Sequence, residues 1–74
     1  MSRLTPLKPI VVIRILKNLG FKPVRQKGSH IFFRHPDGRT TVVPFHKGED
    51  ISRGLIRKIL QDIELSWQEF ISAK

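Results

Sequence analysis

The chain has 74 residues and no cysteine, so it reads as one small domain without disulfides or thiolate metal ligands, at home in a reducing cytosol. Fourteen Lys and Arg against six Asp and Glu leave a formal charge of +8, which points to a polyanionic partner and to salt-sensitive binding. No apolar run approaches the ~20 residues of a membrane span, and Arg14 and Lys17 interrupt the one stretch, 1–20, that resembles a signal peptide, so a cytoplasmic protein is expected.

Pro9 to Leu19 has the spacing of a helix. Val12, Ile15, Leu16 and Leu19 recur at three- and four-residue intervals, with Arg14, Lys17 and Asn18 elsewhere on its surface. Pro9 at the first turn and Gly20 beyond the last mark its ends, and they outweigh the β-branched run Ile10-Val11-Val12-Ile13. Phe21 to Gln26 then reads as a short strand, confined by Pro23 to a sheet edge or to an irregular start. Gly28 and Ser29 make a turn. His30 to His35 is the second strand and Thr40 to Phe45 the third. Between them, Pro36 presets φ, Asp37 accepts turn geometry and Gly38 takes a positive φ, a three-residue loop that gives a bulged hairpin. Lys47 to Asp50 is a polar loop whose acids favour the start of the helix that follows. Ser52 caps that helix, and Leu55, Ile56, Ile59, Leu60 and Ile63 form one apolar stripe along it. Ser66 and Glu69 read as the capping box of a short last helix, with Leu65 stapled to Phe70.

The order α-β-β-β-α with a short C-terminal helix predicts an α+β domain. Three antiparallel strands bury one face, and the helices are the only cover available for it. Alternation turns Ile31 and Phe33 inwards and His30, Phe32 and Arg34 outwards, leaving Phe32 as an exposed aromatic between two polar neighbours.

The hairpin register sets His30 opposite Pro44 and brings His46 to the same face, displaced diagonally by roughly 7–8 Å. A change of one residue in the loop would undo this. Two imidazoles near Lys27, Arg34 and Arg25 suit a reaction that RNA offers. The 2′-hydroxyl attacks the adjacent phosphorus once a base takes its proton, and an acid protonates the departing 5′-oxygen. Histidine serves either role near neutral pH. Lys27, Arg34 and the amides of Gly28 and Ser29 would stabilise charge on the phosphoryl oxygens. The scheme needs no metal or cofactor, and three scattered histidines without cysteine or a carboxylate cluster make a poor metal site.

Each of these residues also has an ordinary reading. A histidine at the start of a strand is commonly structural, Gly28-Ser29 is a usual hairpin turn, Arg34 is a solvated cation, and His35 has no chemical role. On the residues alone, a non-catalytic basic RNA-binding module stands beside the enzyme. It would follow phosphates with Arg34, Lys27, Arg25 and the helix cations. A DNA-binding regulator ranks behind both for want of a recognition helix.

Gly20-Phe21, Arg25-Gln26-Lys27-Gly28-Ser29-His30 and Phe33-Arg34-His35-Pro36-Asp37-Gly38-Arg39 together resemble the HicA toxin family of HicAB toxin–antitoxin systems. So do Val43-Pro44-Phe45-His46-Lys47-Gly48, the helix Arg53-Gly54-Leu55-Ile56-Arg57-Lys58-Ile59-Leu60, and the closing Leu65-Ser66-Trp67-Gln68-Glu69-Phe70. The resemblance runs in order through nearly the whole chain. It departs at the first helix, where many relatives have a Ser-Gly or similar opening and this chain has Lys8-Pro9. The resemblance implies a fold like that of double-stranded-RNA-binding domains and a metal-independent endoribonuclease that cleaves mRNA. It makes the histidine of Gly-Ser-His, His30 here, the catalytic residue; the family pattern assigns no role to His46, which the register alone keeps as a site residue of second rank. It also implies a HicB-type antitoxin that binds the toxin, obstructs that histidine and represses the shared promoter. The toxin is expected to be monomeric alone and hetero-oligomeric with the antitoxin, which could dock on Phe32 and the uncovered sheet face.

Overall fold

Six elements follow one another along residues 3–74, the part described by the computed structural model. They are α1 (Pro9–Asn18), β1 (Lys22–Lys27), β2 (His30–Arg34), β3 (Thr40–Pro44), α2 (Arg53–Ile63) and α3 (Trp67–Ile71). The strands form an antiparallel sheet in the order β1-β2-β3. The architecture is the expected α+β arrangement, consistent with a double-stranded-RNA-binding-domain-like fold. Among the described residues no helix is long and apolar enough to cross a membrane.

Boundaries follow local chemistry. Pro9 lies in the first turn of α1, where its missing N–H costs nothing. The helix stops in a Schellman turn: the Gly20 N–H donates to the Lys17 carbonyl at 3.0 Å and the Phe21 N–H to the Leu16 carbonyl at 2.9 Å. Gly20 supplies the positive φ of +97° that this turn requires. Ser52 caps α2 by accepting the Leu55 N–H at 3.3 Å. Ser66 and Glu69 form the full capping box of α3, the Ser66 hydroxyl accepting from the Glu69 N–H and the Glu69 carboxylate from the Ser66 N–H.

Val12, Ile15 and Leu16 of α1, Ile56, Ile59, Leu60 and Ile63 of α2, and Phe70 of α3 are buried against Phe33, Thr41 and Val43 of the sheet. Leu65 packs at the margin of this core, as a staple to Phe70 predicts. Along β2, Phe33 is buried, Ile31 is half-buried against the core, and His30 and Arg34 are exposed, as the predicted alternation has it. Thr41 is the one polar residue in the core of the described chain, and its hydroxyl donates to Asp62 at 3.0 Å.

Three expectations change in detail. Leu55 lies on the predicted apolar stripe of α2 but is 41% exposed, because the stripe is wider than the surface available to cover it. Phe32 is half-buried rather than exposed: the Arg25 guanidinium lies 4.8 Å above its ring. In β1 the register slips between Pro23 and Arg25, a bulge at the strand that proline confines to the edge.

Candidate active site

The bulge decides which cations share a face. Directly paired residues in an antiparallel sheet point to the same side. The rows on the outer face are therefore Lys27-His30-Pro44, Arg25-Phe32-Val42 and Lys22-Arg34-Thr40. Without the extra residue, Lys22 would point towards the helices. With it, Lys22, Arg25, Lys27 and Arg34 stand on one side with no acid among the paired residues of that side. Sequence reasoning missed Lys22, although Pro23 beside it was the available signal for a slip.

His30 opens β2 at one end of this face, paired with Lys27 and Pro44 as the register predicts. The turn behind it is tight. Gly28 has φ +58° and Ser29 a negative φ, the signs of a type II′ hairpin. A side chain at Gly28 would meet nothing within 4 Å, so the approach over the turn is clear. Arg34 is on the same face but four strand residues away, roughly 13 Å along the strand, and it borders a separate hollow with Lys22 and Val24. The structure thus groups His30 with Lys27, Gly28 and Ser29, keeps Arg25 within two rows, and sets Arg34 apart.

His46 is drawn to the same end. The Phe45 N–H donates to the Ser29 carbonyl at 2.6 Å, extending the pairing of β3 past Pro44. One residue on, Nε2 of His46 lies 3.3 Å from the Ser29 hydroxyl. A hollow of about 250 Å³ is bordered by His30, Pro44 and His46 on one side and by Glu49, Asp50 and Leu55 on the other. Leu55 is thus a margin of the site, and the two acids are neighbours that strand periodicity could not reveal.

His35, at the far end of β2, is built differently. Its ring meets Phe21 edge-on at 5.0 Å and lies against Gly20, and its Nδ1 accepts the Asp37 N–H at 3.1 Å. Arg39 completes this corner: its Nε donates to Asp37 at 2.8 Å, its Nη1 donates to the Ile63 carbonyl at the end of α2, and its guanidinium lies 5.2 Å from the Phe21 ring centre. The Asp37 carboxyl is held below its ordinary range chiefly by the hydrogen bond from the Arg39 backbone N–H, then by the Arg39 side chain. This cluster fastens the hairpin to α2 and does not extend to His30.

An exposed imidazole thus stands behind a Gly-Ser turn on a cationic sheet face. Residues 11–65 match the family described as HicA toxin of bacterial toxin–antitoxin systems. The chain belongs to the HicA toxin family. It is accordingly a toxin of a toxin–antitoxin system, a family whose members are generally ribonucleases and generally have an antitoxin partner. A comparison with curated proteins found no match. The matched span runs from α1 to the residue before the Ser66 cap and contains the whole HicA sheet, His30 and His46.

Proposed function

We propose that this HicA toxin is a metal-independent endoribonuclease that cuts messenger RNA, with His30 as general acid or base, and that a HicB-type antitoxin restrains it by covering that residue. The observation that carries the reading is the position of His30: exposed, at the open end of the cationic face, one residue beyond a turn with clear space above it. The RNA backbone runs along the β1 side, where Lys27 and Arg25 neutralise phosphate. That places a scissile phosphate over the Gly28-Ser29 turn, within reach of backbone N–H groups and of the His30 ring. Attack by the 2′-hydroxyl leaves a 2′,3′-cyclic phosphate on one product and a 5′-hydroxyl on the other.

Expression in a bacterial host tests this directly. The parent arrests growth, and purified protein yields cyclic-phosphate ends on mRNA in the presence of EDTA. His30→Ala restores growth and lowers cleavage by ~10²–10⁴-fold, the usual loss on removing a positioned proton-transfer group. Equal toxicity of the two proteins, or cleavage abolished by the chelator, would sink the assignment. Salt-dependent RNA binding with no cleavage at any pH would point instead to the non-catalytic binding module.

A further inference from the structure

We infer that His46 is a second catalytic residue, carrying whichever of the two proton transfers His30 does not, with Ser29 as its positioning residue. The inference rests on the endoribonuclease reading and goes beyond it by dividing the chemistry between two side chains. The reaction itself calls for two groups. As the O2′–P bond forms and the P–O5′ bond breaks, a proton leaves O2′ and another arrives at O5′. Entering and leaving oxygens lie in line on opposite sides of phosphorus. One ring at the end of β2 cannot reach both at once.

His46 is placed to be the other. The Phe45–Ser29 backbone bond sets it beside the Gly-Ser turn, and the Glu49 N–H donates to its carbonyl at 3.0 Å, so the main chain is held on both sides of the ring. The Ser29 hydroxyl then fixes the ring at Nε2, 3.3 Å away, which leaves Nδ1 for the substrate. His30 and His46 border one hollow with Pro44 between them. The ring also lacks the structural employment of His35: it is exposed and packs against no aromatic side chain among the described residues. What holds it is a single hydroxyl, supplied by the residue next to His30.

The test uses an RNA oligonucleotide spanning a cleavage site mapped with the parent protein, made once with the normal 5′-oxygen and once with a bridging 5′-sulfur that departs without protonation. On the oxygen substrate, His46→Ala and His46→Gln both lose at least ~10²-fold in rate while melting like the parent. Glutamine keeps a partner for Ser29 but cannot shuttle a proton. On the sulfur substrate, one of His30→Ala and His46→Ala recovers most of the parent rate and the other does not, which names the acid and the base. Ser29→Ala slows cleavage and Ser29→Thr, which retains the hydroxyl, restores it. His46 variants within a few-fold of the parent on the oxygen substrate overturn the inference and leave the role of His30 standing. Equal responses of the two histidine variants to sulfur overturn the division of labour. A parent protein with which no RNA cleavage site can be mapped overturns the endoribonuclease reading, and this inference with it.

Discussion

Gly20 and His35 occupy each other's space. A Cβ added at Gly20 would sit 3.0 Å from Nε2 of His35, on a backbone whose φ of +97° already disfavours any side chain. Gly20→Ala therefore costs about 1–2 kcal/mol from the left-handed backbone alone, with displacement of the His35 ring in addition. Urea unfolding should show that loss, while cleavage per folded molecule stays unchanged because the corner is remote from His30. The same corner explains why the histidines were unequally legible. His30 and His35 bracket the same strand, and nothing in their immediate neighbours separates an exposed ring from a packed one. The Gly20 and Phe21 that enclose His35 lie more than a dozen residues upstream. The bond between Ser29 and His46 was hidden for a related reason: counting register reaches Pro44, but the chain beyond it has no periodicity from which to aim a side chain.

The elements themselves were easier to read, because their signals are local. Ser52, the Ser66–Glu69 box and Gly20 each mark a helix end through a bond made within a few residues. The Pro36-Asp37-Gly38 loop fixes the β2–β3 register through one compact turn. Pro23 hinted at the β1 bulge without fixing its position, and the exposure of Leu55 was not legible, since it depends on how much surface the other elements leave. The end of α2 carries a feature of the opposite kind. Glu64 adopts φ 59° to close a Schellman turn, its N–H donating to Gln61 and that of Leu65 to Leu60. A non-glycine residue is strained there, and its negative charge opposes the carbonyl end of the helix dipole. Glu64→Gly should raise stability by roughly 0.5–1 kcal/mol, read as a higher urea midpoint with an unchanged denaturant slope. An unaltered or lower midpoint would show that Glu64 makes a compensating contact.

Across the whole molecule, three of the six acids are engaged by neighbours other than the cations of the outer sheet face. Asp37 is engaged by Arg39, Asp62 by Thr41 and Lys58, and Glu69 by the cap of α3. Lys22, Arg25, Lys27 and Arg34 share the outer sheet face without an acidic partner in their rows. For a single-stranded RNA, each neutralised phosphate contributes a slope of about −0.7 to log K against log salt. Four such contacts give roughly −2.8 by that rule. Binding of the His30→Ala protein to an RNA oligonucleotide, followed by anisotropy through a salt titration, should approach this slope. Replacing Lys27 or Arg25 with glutamine should each flatten it by ~0.7. A slope near zero would mean that the sheet face is not where the polyanion lies.

The stretch between β3 and α2 is fastened at both ends by main-chain hydrogen bonds: Phe45 to Ser29 on one side, and the reciprocal Leu7–Ile51 bridge on the other, where the Ile51 side chain also enters the core. Fastenings of this kind are blind to side-chain identity. Lys47 can therefore drift in sequence, changing what a binding protein meets, while the neighbouring imidazole keeps its place; Gly48, with a φ of +82°, cannot. Proline at 7, 45, 49 or 51, which has no N–H to give, would break one of the bonds that hold this stretch.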